Sequence, residues 1–279
     1  MSPSVVTLTT DFGLADGFVG AMKGVALGIF PEITLIDITH DVPPQDIRAG
    51  GLILGAACPY FPDGTIHVAV VDPGVGSDRR AILVQDAKDN LFLGPDNGLL
   101  TFALDREGAR VRELANRGWF LEEPSATFHG RDVFAPAAAR LASGAAPADA
   151  GPEVADAVRR PFPVPLIEVE EEENRTRIHG VIVHIDRFGN LITNVDRALF
   201  DKAWAAGRGV GARVILKNRA VAGWVRYYEE AGAAREDAEE KSGALFNSWD
   251  LLEVFVPSGN AAELLDARVD EHVTIEINA

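Results

Sequence analysis

The stretch Ile66-His67-Val68-Ala69-Val70-Val71-Asp72-Pro73-Gly74-Val75-Gly76 decides the fold. Its opening run, Ile66–Val71, is almost wholly apolar, as a parallel strand covered on both faces requires, and a polar glycine-rich turn follows at once. Working outward, Val5–Thr10 and Ile33–Ile38 read as two more strands of the same kind. Between them Asp16 is placed to cap a helix whose Phe18, Met22, Val25 and Ile29 share one face, and Pro31 ends it. A second helix is expected over Asp46–Ala57, closed off by Pro59 and Pro62. Ala81–Gln85 and Leu91–Leu93 read as a strand pair, and Gly98–Leu104 and Val133–Leu141 as helices. Strands alternating with helices define an N-terminal α/β domain with a mostly parallel central sheet.

The pattern changes near residue 160. Pro161, Pro163 and Pro165, followed by the acidic run Glu168–Glu173, read as an extended, solvated linker over 161–175. Beyond it come short strand-like runs at Ile178–Ile185, Leu191–Val195, Arg213–Leu216, Ala220–Val225, Leu251–Val256 and Val273–Ile277, separated by turn-forming residues. The expected organisation is an α/β domain over 1–160 and a smaller, mostly antiparallel β domain over 176–279. The charged, Ala-rich stretch Glu229–Ser242 reads either as a short helix or as an excursion from that domain.

Composition narrows the function classes. The 279 residues are 47% apolar, enough for packed cores and suited to two domains. The net charge of −16, from 26 basic and 42 acidic residues, argues against a nucleic-acid surface, which needs clustered Lys and Arg. Cys58 is the only cysteine, so no internal disulfide forms and a reducing compartment is favoured. No apolar run reaches membrane-spanning length, and Met1-Ser2-Pro3-Ser4 carries no basic region of the kind a signal peptide needs. The expectation is a cytoplasmic protein with a small-molecule ligand.

Three polar clusters end the expected strands: Thr10-Asp11-Phe12-Gly13-Leu14-Ala15-Asp16, the Asp72 turn with Arg79 close behind, and Phe128-His129-Gly130-Arg131-Asp132. Open α/β sheets bind ligands at the carboxyl ends of their strands, so these clusters are expected to form one site. Each has a plainer reading. Asp72 would serve a tight turn equally well, Arg79 or its neighbour Arg80 could be a surface cation, His129 could be structural, and Asp16 could be only a helix cap.

With Gly94-Pro95-Asp96-Asn97-Gly98-Leu99-Leu100 and Asp186-Arg187-Phe188-Gly189-Asn190 added, the chain resembles the S-adenosylmethionine (SAM) hydroxide adenosyltransferase family, itself similar to the fluorinases and chlorinases. The resemblance runs from about Val5 to Ala262. It implies hydrolysis of SAM to adenosine and L-methionine, with Asp72, Arg79 and His129 as the catalytic group. It assigns Asp11 to the ribose and Asp16 to the region of the methionine ammonium. Phe128 falls in the same site. Asp186 and Asn190 match the family's ammonium and adenine contacts, Asn247-Ser248 its amino-acid contact, and Gly259-Asn260-Ala261 its adenine-edge segment. Trp249 stands where halogenating relatives carry Arg. Phe188 and Tyr228 are candidate walls for the base, and Glu253, set in the apolar run Leu251–Val256, is a candidate partner for the substrate amine if it faces inward. The resemblance implies no cofactor beyond the substrate, no metal, and a homotrimer with sites between subunits; a purified sample could carry adenosine.

Three other readings compete with this one. His40-Asp41, Asp72, Asp96, His129 and Asp132 could be imagined as a two-metal hydrolase, but they lack a compact His-x-x-x-His or His-x-His spacing. A non-catalytic adenosine-binding module would bind ligand without turnover. A halide-using enzyme is opposed by Asp72, whose carboxylate repels halide, by Gly130, and by the short Arg80–Leu93 segment.

Overall fold

The computed structural model describes residues 5–160, 163–170, 175–206, 209, 211–221, 224–231 and 242–278. The chain divides into two units, Met1–Pro161 and Phe162–Ala279.

The first unit runs β1 (Val5–Thr10), α1 (Phe18–Ile29), β2 (Thr34–Thr39), α2 (Ile47–Ala57), β3 (Ile66–Val70), β4 (Ala81–Gln85), β5 (Leu91–Pro95), α3 (Thr101–Leu104), β6 (Arg110–Glu113) and α4 (Ala135–Ala142). The strands form one sheet in the order β2-β1-β3-β5-β4-β6. The first four in that order are parallel, while β4 runs antiparallel to both its neighbours, β5 and β6. Every residue of β3 is buried, as its apolar run requires. Side chains alternate across the sheet. Val68, Val70 and Leu93 pack with Met22 of α1 and Ala137 and Leu141 of α4. Ala69, Val71 and Phe92 pack with Leu54 of α2 and Ala103 of α3. Each fully buried Leu, Val or Phe on these two faces contributes about 1.5–3 kcal/mol, and their sum holds the sheet.

Two local readings change here. The buried face of α1 is Val19, Met22 and Ala26, one step round from the expected stripe, and Phe18 is half exposed. The residue preceding α1 is Gly17 with no side-chain cap, so Asp16 is an exposed loop residue and not a helix cap. The second expected helix is present, capped by Asp46, whose Oδ1 accepts from Ala49 N at 2.9 Å.

The second unit contains β7 (Leu166–Glu170), β8 (Arg175–Ile185), β9 (Leu191–Asp196), α5 (Arg197–Ala206), β10 (Gly211–Leu216), β11 (Arg219–Val221), β12 (Gly243–Phe246), β13 (Leu251–Phe255), α6 (Ala261–Leu264) and β14 (His272–Asn278). The sheet order is β11-β10-β14-β8-β9-β13-β12, antiparallel throughout, with β7 added beside the first half of β8. Residues 166–170, expected in a solvated linker, therefore form a strand of the second unit: paired backbone decides the conformation where charge had argued for solvent. In the stretch Glu229–Ser242, Tyr228–Ala231 forms a short 3-10 turn, and residues 232–241 lie outside the described residues. Among the described residues no helix is long and apolar enough to cross a membrane.

Candidate active site

The turn after β3 sets the first catalytic pair. Val75 N donates to Asp72 O at 3.2 Å, and Ser77 Oγ and N both bond Gly74 O, at 2.6 and 3.1 Å, so Asp72–Ser77 closes tightly and brings Arg79 back over Asp72. Gly76 is required on two counts. Its φ is +79°, and a Cβ there would lie 2.3 Å from the carbonyl oxygen of Ala126. That approach lays the turn against the loop that carries His129.

Arg79 grips the carboxylate of Asp72 with two donors. Nε reaches Oδ1 at 3.0 Å and Nη2 reaches Oδ2. The same Nη2 lies 2.8 Å from Nδ1 of His129. The Asp72 and Arg79 side chains are 4% and 10% exposed, and the guanidinium carbon sits 5.7 Å from the ring centroid of the fully buried Phe134. A guanidinium only donates, so Nδ1 of His129 accepts, and the imidazole is neutral with its proton on Nε2. Burial, and then the charge of Arg79, hold the His129 pKa below its ordinary value.

His129 immediately precedes a π-helical turn, Gly130–Phe134, that leads into α4. Asp132 anchors this turn. It is fully buried and accepts from Arg131 and from Ser125 N at 2.8 Å. Burial opposes its charge, but those donors outweigh it and keep its carboxyl below the usual range. Arg131 stacks over Phe128 at 5.1 Å.

These residues open onto a cleft of about 420 Å³ lined by Asp11, Phe12, Phe18, Gln45, Val70, Asp72, Pro73, Val75, Thr127, Phe128, His129 and Gly130. Phe12, Phe18 and Phe128 form an edge-to-face cluster, with centroids 5.2–5.8 Å apart, as its apolar wall. Asp11 faces the same cleft and accepts from Gln45 N at 2.8 Å. Asp72, Arg79, His129, Asp11 and Phe128 thus come together, while Asp16 stays outside the lining. The sequence reading passed over Phe18 and Gln45. Phe18 had been placed in the core stripe. Gln45 contributes a backbone N–H from a residue with φ +65°, which no side-chain pattern signals.

The second unit has its own cavity, about 530 Å³, lined by Asp186, Phe188, Asn190, Tyr228, Phe255, Val256, Pro257, Ser258 and Gly259. Asp186 organises its rim: Oδ1 accepts from Phe188 N at 2.8 Å and Asn190 N at 2.9 Å, and Oδ2 from Asn190 Nδ2 at 3.2 Å. Phe188 is 74% exposed, so it belongs to no core. Three expected contacts are absent from the lining. Ser248 is exposed on the turn beside it. Ala261 is wholly buried in the core as the first residue of α6. Glu253 is 2% exposed and sits behind the wall, accepting from Tyr228 Oη at 2.9 Å and Asn247 Nδ2 at 3.0 Å. Burial, with the charge of Asp186 adding to it, raises the Glu253 pKa, and burial beside Glu253 pushes Tyr228 up to about 12. The residues weighed for a metal centre have separate partners: His40 bonds Thr10, Asp96 bonds Arg80, and Asp132 bonds Arg131.

Fold and cleft together define an α/β protein that presents a clamped carboxylate and a neutral imidazole to a small ligand with an apolar part. Residues 6–151 match the SAM hydroxide adenosyltransferase N-terminal domain and residues 180–274 the corresponding C-terminal domain. The chain is 50% identical to an (R)-S-adenosyl-L-methionine hydrolase of Salinispora tropica over 67% of this chain and 70% of that protein. It is 40% identical to one of Thermus thermophilus over 94% and 96%. The crystal structure of an uncharacterized conserved protein from Thermotoga maritima superposes with a TM-score of 0.84 at 32% identity, covering 97% of this chain and 99% of that one. The chain belongs to the SAM hydroxide adenosyltransferase family.

Proposed function

We propose that this chain is an enzyme that hydrolyses SAM to adenosine and L-methionine by attack of water at C5′, with Asp72 as the proton acceptor. The new bond joins the water oxygen to C5′, the C5′–S bond breaks, and its electron pair returns to sulfur as a neutral thioether. The sulfonium leaves without protonation, so the barrier lies in the nucleophile. Bulk water has a pKa of about 15.7, and hydroxide is scarce at neutral pH. Removing a proton as the bond forms is worth about 10²–10⁴-fold, and fixed orientation adds to it.

The observation that carries this reading is the Asp72–Arg79–His129 chain in the cleft. The Nδ1 atom of His129 is already committed to Arg79, so its Nε2–H is left as a donor that orients the water oxygen. Each carboxylate oxygen of Asp72 accepts from Arg79 and keeps a second lone pair to receive the water proton. Arg79 holds the two groups in register.

In the same reading Asp11 accepts from the ribose hydroxyls, both donors, and Phe12, Phe18 and Phe128 shield the reacting carbon from bulk water. Asp16 and Asp186 favour the ammonium, Asn190 and the Gly259–Ala261 backbone the adenine edge, Phe188 and Tyr228 its faces, and Ser248 the amino-acid end. Glu253 acts by fixing Tyr228 and Asn247. No cofactor takes part.

Chromatography of SAM incubated with the protein tests this. Adenosine and L-methionine are the expected products, and added chloride or fluoride should yield no 5′-halo nucleoside. A substantial halonucleoside yield, or no turnover, contradicts the reading. The reading extends to a cytoplasmic homotrimer whose sites join the first domain of one subunit to the second domain of the next. Mixing Asp72→Ala with Asn190→Ala subunits should then restore activity; a fully active monomer by light scattering contradicts the shared site.

A further inference from the structure

Behind Asp11 lies a polar chain, buried at Thr10 and His40 and reaching the surface at Asp37 and Lys23, that the reaction scheme does not use. Thr10, the last residue of β1, is fully buried, and its Oγ1 lies 2.8 Å from Nδ1 of His40, itself 4% exposed. The same Oγ1 accepts from Phe12 N at 3.3 Å. On its far side, Nε2 of His40 lies 3.1 Å from Asp37 Oδ1, and Asp37 Oδ2 takes Lys23 Nζ at 2.6 Å. The Nε2 contact is an ion–dipole approach and lies outside hydrogen-bond geometry. Burial opposes the charge on Asp37, but Lys23 and His40 outweigh it and hold its carboxyl below the usual value. With a neutral imidazole turning its Nε2–H toward the ionised Asp37, Nδ1 accepts the Thr10 hydroxyl proton. The hydroxyl is thereby turned to offer a lone pair to Phe12 N.

The backbone repeats the link. Gly13 N donates to His40 O at 2.8 Å, and Val42 N to Thr10 O at 3.3 Å. The loop that carries Asp11 and Phe12 is therefore stitched to the loop after β2, which also supplies Gln45 N to Asp11. A hydrogen-bonding histidine in this position is a costly choice for packing alone, since an apolar side chain would fill the space with no polar atoms to satisfy.

We propose that His40, acting through the Thr10 hydroxyl, is the positioning residue that sets Asp11 and Phe12 for the nucleoside half of the substrate, and so governs nucleoside affinity separately from the chemical step. This rests on the function proposed above, in which Asp11 meets the ribose. The residues that do chemistry stand on other loops, after β3 and before α4, and are untouched by the change.

The test uses Thr10→Val, which keeps the buried volume but removes the hydroxyl, with Thr10→Ser as the conservative partner and His40→Gln as an independent break. Adenosine and L-methionine binding are measured by calorimetry, and kcat and KM for SAM by product chromatography. Losing one net hydrogen bond of this kind corresponds to about a threefold to tenfold effect. Thr10→Val and His40→Gln should weaken adenosine binding and raise KM by that factor, with kcat and L-methionine binding within about twofold of wild type. Thr10→Ser should restore adenosine binding. Equal loss of adenosine and methionine binding, a fall confined to kcat, or a Thr10→Val protein that binds adenosine like wild type overturns the inference. A wild-type protein that binds adenosine without hydrolysing SAM would sink the proposed function and leave this inference standing on the calorimetry.

Discussion

Asp72 in the first cavity and Asp186 in the second are held in opposite ways. In the first unit Asp72 faces a full positive charge, gripped by two donors of Arg79. In the second unit Asp186 and Glu253 accept only from neutral groups: backbone N–H, two Asn amides and one Tyr hydroxyl. Among the described residues no Lys or Arg pairs with either. A carboxylate already matched by a cation has a fixed direction and is available for a proton. A carboxylate held only by neutral dipoles has no counter-charge of its own, and in the proposed reaction a cationic ligand would supply it. SAM carries an ammonium and a sulfonium. In the proposed reaction the contrast separates a region suited to proton removal from a region suited to holding charge.

Breaking the first grip should give the largest effect. Asp72→Ala or Arg79→Ala should lower kcat at least about 10²-fold, the lower end for loss of an acid–base group, while adenosine affinity measured by calorimetry falls much less. Neutralising the second region should act on binding instead. Asp186→Asn retains a side-chain acceptor but loses the charge, so KM for SAM should rise about tenfold or more with kcat nearly unchanged, as expected for a charge-assisted contact. If Asp186→Asn behaves like Asp72→Ala, the division of labour is wrong.

A pH profile sharpens the same contrast. His129 must be neutral to accept from Arg79, and burial with the Arg79 charge lowers its pKa below the ordinary 6.5. A depressed folded-state value means that the neutral form and its share of stability are fully present above the unfolded pKa and lost as pH falls through the folded one. The acid limb of kcat should therefore lie below 6.5, and a limb above that value would contradict the neutral imidazole. The smallest effect on chemistry is expected at Arg80. It bonds the buried Asp96 at 2.8 Å and Asp156 at 2.7 Å, away from Asp72. Arg80→Ala should leave kcat within about twofold yet lower the melting temperature, because Asp96 keeps its burial and loses its counter-charge.

The comparison also shows what could be read from the chain. β1, β3 and β4 were legible because burial on both faces, or on one, writes a direct hydropathy signal. β6 was not: Arg110-Val111-Arg112-Glu113 is an edge strand whose charged side chains reach solvent or partners such as Glu153. α5 had a signal that was missed, since Asp196 caps it by accepting from Leu199 N at 2.7 Å. At the site, Asp72, Arg79 and His129 were legible as residue types, although His129, expected at a strand end, stands on a loop that leads into a π-helical turn. What joins them was not. The close packing of Gly76 against the Ala126 carbonyl and the Gln45 N–H to Asp11 are backbone events with no side-chain pattern. The sequence left open whether Glu253 faces inward; it does, at 2% exposed, but alternation along a strand does not tell a cavity wall from the layer behind it.

The most direct test of the account is the origin of the new oxygen. SAM turned over in water enriched with heavy oxygen should place the label in the 5′-hydroxyl of adenosine, one atom per turnover, and leave the methionine unlabelled. Label in methionine or homoserine, or adenosine formed without label, would contradict attack of an Asp72-held water at C5′.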